Sequence, residues 1–258
     1  MKLTWFGTAG FRIETRGYTV LIDPYFTRNE YASPQQSMLP SDIEKADLIF
    51  ISHGHFDHIY DVPEIASKTK ALVYCGKGID STLIQKGLKK DQIRCVKSDG
   101  EAIRFDGLEA RAYYSEHIRF DRWLLIKTLA RINFRLSAYL PLIREYPEGQ
   151  VLSWRFIIDG KVIHHFGSAG STPAELERIG KQPTDILLVP MQGHTLIDRI
   201  AHKYVQTLHP KMVIPHHQDN FFPPISTMIN TKTFTERVRQ TNPDTATKTL
   251  ELNEIVEL

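Results

Sequence analysis

The chain has 258 residues, a formal net charge of +2, and 41% hydrophobic against 24% charged side chains. That balance is the one of a folded globular protein and excludes a disordered or membrane-embedded chain. Nor does it supply the concentrated basic surface that nucleic-acid binding requires, so no nucleic-acid partner is expected. Two cysteines, Cys75 and Cys95, are too few for a disulfide framework, and a reducing compartment fits them best. The start of the chain does not read as a secretory leader, and no later stretch approaches the roughly 18 apolar residues of a spanning helix. A cytoplasmic protein with no transmembrane segment is expected.

In chain order, residues 3–6, 11–14 and 18–22 alternate as strands do, with Gly7, Gly10 and Gly17 between them. They predict an antiparallel meander that ends at Asp23-Pro24. Residues 46–51 are mostly apolar and predict a strand buried on both faces, which runs directly into Ser52-His53-Gly54-His55-Phe56-Asp57-His58. Beyond it the pattern predicts strands at 71–74, 93–96, 102–105 and 108–114 and a helix over 81–89. Asp121 is placed to cap a helix over 121–140 that Pro141 ends. Strands follow at 152–158, 161–166, 185–189 and 212–215, with helices opened by Ser171-Thr172-Pro173 and near 199–208. Many strands in two runs, with helices between, suggest two sheets covered by helices.

His53, His55, Asp57 and His58 crowd three imidazoles and a carboxylate into six residues at the end of a buried strand. Residues two apart in an extended segment share a face, so His53 and His55 can turn towards one ion. The turn beyond can bring Asp57 and His58 to a second point nearby. Neutral imidazole and carboxylate oxygen suit zinc, iron or manganese, whereas a closed structural zinc site would want thiolates. A single histidine here would signify an ordinary polar loop, but four potential ligands so closely spaced favour a metal site.

This His-any-His-any-Asp-His run after a strand resembles the signature of the metallo-β-lactamase superfamily, and the likeness spans nearly the whole chain. Leu21-Ile22-Asp23-Pro24 is similar to the family's strand-ending Asp-Pro; His117 and His217 match its remaining ligands. Val189-Pro190-Met191-Gln192-Gly193 and Pro210-Lys211-Met212-Val213-Ile214-Pro215 resemble the branch of ascorbate-6-phosphate lactonase and the N-acyl phosphatidylethanolamine phospholipase D enzymes. The resemblance implies an α/β fold, the four-layer αββα sandwich, as one domain over residues 1–258 with a helical insertion at about 118–150. It further implies that His53, His55 and His117 hold one divalent metal and Asp57, His58 and His217 a second. Zinc is the expected metal, with manganese or iron as alternatives. Asp57 would also orient the attacking hydroxide, and Asp23 would accept a hydrogen bond from a ligand imidazole. The implied activity is hydrolysis of an ester, lactone or phosphoester bond by a metal-activated hydroxide, on a small molecule, anionic or lipid-like compounds included.

The match fails at one place. Most members carry a metal-bridging aspartate in a Gly-Asp-Thr-like turn, and this chain reads Gly167-Ser168-Ala169-Gly170 there. A hydroxyl supplies no charge to offset the cation's, so Ser168 is a poorer ligand. Three readings stay open: a one-metal enzyme, compensation by another ligand, or a degenerate metal-binding module without catalysis. His194 is a spare histidine that could lie near the metal, though a loop residue at the site's mouth is the simpler reading. His216 is also available, and of the adjacent pair His164 and His165 one should point inward and one outward.

Within the insertion, Leu125, Leu129, Ile132, Leu136 and Leu140 approximate an apolar stripe, and Lys127, Arg131 and Arg135 a basic one. A helix packed over the fold with a solvated charged face is the plain expectation. A substrate lid, a homo-oligomer interface and contact with an anionic membrane surface are the alternatives.

Overall fold

The computed structural model describes residues 1–132, 141–142 and 144–258. Among these, strands form two seven-stranded sheets. The first takes β1 (Lys2–Gly7), β2 (Gly10–Glu14), β3 (Thr19–Ile22), β4 (Leu48–Phe50), β5 (Leu72–Cys75) and β6 (Ile93–Cys95) in that order. The second takes β7 (Ala102–Phe105), β8 (Leu108–Tyr114), β9 (Leu152–Ile158), β10 (Lys161–Phe166), β11 (Ile186–Pro190), β12 (Met212–His216) and β13 (Ala246–Thr247). The closing strand β14 (Ile255–Glu257) returns to the first sheet, antiparallel to β1.

The central strands β3, β4 and β11 are buried on both faces. Trp5, Phe11 and Phe50 of the first sheet meet Trp154 and Phe156 of the second in the central core, and Phe50 sets its edge against Trp154 at 4.8 Å between ring centres. The outer face of the first sheet is covered by α1 (Phe56–Ile59), α2 (Val62–Thr69) and α3 (Ile79–Gln85). After α4 (Arg122–Ile132), the helices α5 (Pro173–Gly180), α6 (Ile197–Leu208) and α7 (Lys232–Thr241) cover the second. This is the expected αββα layering.

Strand direction decides where chemistry can gather. β3 and β4 are parallel neighbours, and so are β10, β11 and β12. β8 is antiparallel to β9, which is antiparallel to β10, so β8 and β10 run the same way. The loops after β3, β4, β8, β10, β11 and β12 carry Asp23, His53, His117, Ser168, Gln192 and His217 in turn. All these C-terminal strand ends face one edge, the usual place for a binding site in open α/β sheets.

Several expectations need correction. Helices α2 and α7 and strands β13 and β14 were not anticipated, and α3 runs over Ile79–Gln85 instead of 81–89, stopping before Gly87 at φ +95°. His164 and His165 are both fully buried, instead of one pointing out, because helices cover the outer face of their sheet. His164 stacks on Phe166 on the helix side, and His165 stacks on His216. For α4, Arg135, Leu136 and Leu140 lie outside the described residues. Within it, Leu125 and Leu129 are 44% and 57% exposed; the half-buried positions are Leu124 and Thr128, leading to buried Ile132. The inward stripe therefore sits one residue earlier than 125 and 129, at the i, i+4 spacing of a single helix face.

The Ser171-Thr172-Pro173 signal does open α5. Thr172 Oγ1 accepts a hydrogen bond from Glu175 N at 3.2 Å, and Pro173 occupies the first turn. Thr172→Ala should lower unfolding free energy by about 1 kcal/mol in urea titrations; an unchanged midpoint would show that the cap contributes nothing.

Candidate metal centre

β4 is a short, fully buried strand, and the chain runs on from it through Ser52 and His53 to His55, whose own backbone is extended. α1 begins immediately after His55, which places Asp57 and His58 on its first turn, both buried. His117 arrives from the end of β8. His217 arrives from the end of β12, with φ at +59°. The structure thereby brings all six sequence-expected ligands into two adjacent clusters. In each of them, His53, His55 and His117 on one side and Asp57, His58 and His217 on the other, one donor atom per residue lies within 4.8 Å of the others. The His53 and His58 ring centres are 3.8 Å apart, which makes the two clusters contiguous.

Hydrogen bonds behind the rings decide which nitrogens face inward. Asp23 Oδ1 accepts from Ser52 N at 2.7 Å; its Oδ2 accepts from Ser52 Oγ at 2.5 Å and from His58 Nδ1 at 2.9 Å. With its proton given to Asp23, Ser52 Oγ accepts from His53 Nδ1 at 3.0 Å. His117 Nδ1 donates to Ile118 O at 2.8 Å. Three imidazoles thus carry their proton on Nδ1 and turn the Nε2 lone pair inward, the tautomer a metal ligand needs. His53 Nε2 faces His55 Nδ1 at 3.1 Å. With His53 Nε2 as acceptor, His55 Nδ1 donates to it, and a cation held between the two nitrogens would take the place of that proton.

Electrostatics agree. Burial, reinforced by the neighbouring histidines, pushes His53 well below the ordinary imidazole range and His117 to about 3, and burial lowers His55 as well. All three are neutral, with lone pairs available, at neutral pH. Burial alone would raise Asp57, but His58 and His217 hold it below the usual carboxylate range. Its Oδ2 lies 3.3 Å from His217 Nε2 and 3.6 Å from His58 Nε2. For His58 the penalty of burial is outweighed by Asp57 and Asp23, which raise it. Imidazole and carboxylate donors without a thiolate are the set that zinc, manganese or iron accept; Cys75 and Cys95 belong to neither cluster.

Ser168 is buried beside the site, and its Oγ accepts from Ile118 N at 2.9 Å. It therefore fastens the loop that carries His117. The same turn presses on both ligand-bearing loops: a Cβ on Gly167 would land on Ser52 Oγ, and one on Gly170 on Glu116 O and the His117 carbonyl. Only glycine fits such approaches. His194 stands apart from both clusters, accepting from Leu196 N at 3.0 Å with its Nδ1 3.3 Å from Asp121 Oδ2. Asp121 itself caps α4, accepting from Trp123 N and Leu124 N.

Sequence reasoning missed Ser52, whose place before the first ligand was its one visible signal, and the buried Arg28–Asp219 pair at 2.8 Å. Asp219 also accepts from Thr8 N, while His217 N donates to Thr8 O at 2.8 Å, so this pair steadies the His217 loop. A cavity of about 360 Å³ opens over both clusters, and Leu124 and Thr128 of α4 form part of its wall.

The model of the β-lactamase superfamily domain matches residues 2–217, which include every ligand position named above. The chain belongs to the metallo-β-lactamase superfamily. A UPF0173 protein of Pyrococcus abyssi is 29% identical over 222 residues, 86% of this chain and 85% of its own length. A UPF0173 metal-dependent hydrolase of Thermoplasma acidophilum is 29% identical over 224 residues, 86% and 84% of the two chains. Among solved structures, Igni18, a metallo hydrolase from Ignicoccus hospitalis, aligns with a TM-score of 0.70 and 26% identity over 99% of this chain and 97% of its own. An isothiocyanate hydrolase from Delia radicum gut bacteria shares the fold, with a TM-score of 0.67 and 18% identity over 100% and 99%.

Two outcomes test this geometry. Asp23→Asn removes the charge and puts a donor NH2 in place of one of the two oxygens that accept from His58 and Ser52, and should weaken zinc affinity by about 10- to 100-fold in chelator competition. Unaltered affinity would show that the network is not needed for the donor set. In metal-stripped protein, the unfolded chain binds protons near pH 6.5 that His117 binds only near 3. The unfolded state gains protons first, so stability should fall as pH drops from about 6.5 towards 3, and His117→Asn should flatten the slope of unfolding free energy over that range. An equal slope in the two proteins would contradict the depressed value.

Proposed function

We propose that the chain is a metal-dependent hydrolase of small molecules, with His53, His55 and His117 holding one divalent cation and Asp57, His58 and His217 a second. The observation that carries this reading is the set of inward-facing donor atoms on the floor of a cavity, three of them fixed by hydrogen bonds on the far side of the ring. Relatives named metal-dependent hydrolases, such as those of Thermoplasma acidophilum and Ligilactobacillus salivarius, support it. When bound, a divalent cation there lowers the pKa of water and polarises a carbonyl or phosphoryl oxygen.

The chain's own groups do the rest. Asp57, kept ionised beside His58 and His217, accepts a hydrogen bond from the attacking water and orients it. Asp23 and Ser52 hold the His53 and His58 rings in register. Ser168 brings no bridging charge and is engaged with Ile118 N, which leaves Asp57 the one carboxylate in the two clusters. The His53, His55 and His117 cluster, whose three ligands do not depend on the missing bridging carboxylate, is the tighter of the two, and zinc the leading metal. The bond cleaved is an ester, lactone or phosphoester. A place near the lactonase and phospholipase D branch rests on residues 189–193 and 210–215.

The test pairs metal analysis with turnover. Zinc- or manganese-loaded protein should hydrolyse at least one member of a panel of carboxylic esters, lactones and phosphodiesters. His55→Ala should lose the more tightly held metal and about 100-fold or more in rate, with an unchanged circular dichroism spectrum. Wild-type metal content in His55→Ala would reject the ligand assignment, and zinc binding with no turnover across the panel would favour a binding module.

A further inference from the structure

The cavity above the clusters is built from apolar side chains. Phe56, Phe221, Phe222 and Ile225 form one wall, continuous with buried Tyr25, and Phe120 and Leu124 stand among the other lining groups. Rings of the first wall are mutually packed: Phe56 lies 4.8 Å from Phe222 and 6.4 Å from Phe221, while Phe221 lies 5.0 Å from the ligand His217. The wall is therefore formed before any substrate arrives, and it begins where the donor atoms end.

Charge is missing from that lining. Among the described residues, no lysine, arginine or glutamate borders the cavity, and Asp57 on the floor is its one carboxylate. Two of the polar neighbours, Gln192 and Ser226, are engaged elsewhere. Gln192 Nε2 donates to Asp219 O and Thr227 O at 3.1 and 2.7 Å, and Ser226 Oγ accepts from Phe222 N and donates to Asn220 Oδ1. On α4 the cavity-facing positions are Leu124 and Thr128, one turn apart, while Lys127 and Arg131 are exposed. The basic residues of this helix thus do not line the cavity.

We propose that the substrate is a neutral carboxylic ester or lactone whose non-reacting part is an uncharged alkyl or aryl group, seated between the Phe56–Phe222 wall and Leu124. This rests on the hydrolytic reading of the metal centre and narrows it. A charged group placed against this wall, away from the metal ligands, would lose its water and find no partner, whereas an apolar group gains by leaving water. Phosphoryl transfer would have the metal ions alone to share the charge of the transferring group, because no cationic side chain borders this cavity among the described residues. A carbonyl centre, which develops one oxyanion, makes the smaller demand. A volume of about 360 Å³ suits a single small-molecule chain.

Two measurements test the assignment. The first uses metal-free full-length protein and the neutral fluorophore N-phenyl-1-naphthylamine. Saturable binding is expected, weakened at least tenfold by Leu124→Asp and severalfold by Phe222→Ala, so that a misfolded variant does not decide the matter alone. Probe affinity indifferent to both substitutions overturns the proposal. The second follows base uptake at constant pH as zinc-loaded protein hydrolyses methyl esters of acetic to octanoic acid and monomethyl succinate. Here kcat/KM should climb by about fourfold per methylene until the cavity is filled, and monomethyl succinate should fall far below methyl butyrate. Turnover that favours acetate or succinate overturns this assignment and leaves the hydrolase reading standing. Probe binding with no turnover of any ester, lactone or phosphodiester overturns the hydrolase reading, and the substrate assignment falls with it.

Discussion

The carboxylate of Asp23 is fully buried, and the rest of the site depends on how that charge is satisfied. An unpaired carboxylate in such a place would carry a large desolvation penalty. Here it accepts three hydrogen bonds, two from Ser52 and one from His58. Those donors lie at the end of β4 and on α1, and β3 delivers Asp23 next to them because β3 and β4 are parallel neighbours in register. A one-residue slip of β3 would turn Asp23 to the other face of its sheet. The same interaction that makes the buried charge tolerable thus selects the tautomers of His53 and His58.

The second sheet is tied to this arrangement at the shared edge. Leu152 N donates to Ser52 O, Trp154 Nε1 to Ile51 O, and His217 N to Thr8 O. Arg28 and Asp219 add a buried ion pair behind the His217 loop; breaking such a pair from one side typically costs about 3–5 kcal/mol. Thr8, Asp23 and His217 all have positive φ, at 46°, 42° and 59°. Non-glycine residues hold this conformation at a cost, and their gathering at one edge shows that the fold maintains local strain where the donor atoms converge.

How far the site was legible follows from locality. His53, His55, Asp57 and His58 sit in one run, so their clustering could be read directly from spacing. His117 and His217 lie far along the chain, and their partnership was visible through resemblance alone, since no local pattern says that the ends of β8 and β12 meet the end of β4. The apolar runs of β4 and β11 were legible because both faces are covered. Adjacent His164 and His165 misled for the same reason: alternation distinguishes inside from outside when one face is wet, and here neither is. In α4 the inward face sits at 124 and 128 instead of 125 and 129, because leucines at 124, 125 and 129 leave two nearly equal stripes that only packing against the cavity separates. The aromatic wall was invisible in advance, since Phe56 and the Phe221-Phe222 pair are 165 positions apart or more.

Ser168 gains a clear physical meaning in this frame. Where the superfamily resemblance led one to expect a bridging carboxylate, the side chain holds the backbone after His117, so the turn is a structural brace between ligand loops and the anionic charge of the centre comes from Asp57. X-ray absorption at the zinc edge of the full-length, zinc-loaded protein tests the central claim most directly. The account predicts a first shell of nitrogen and oxygen at about 2.0–2.1 Å with the outer-shell scattering of several imidazoles, and no sulfur at about 2.3 Å. A shell containing sulfur, or one without imidazole scattering, would contradict it.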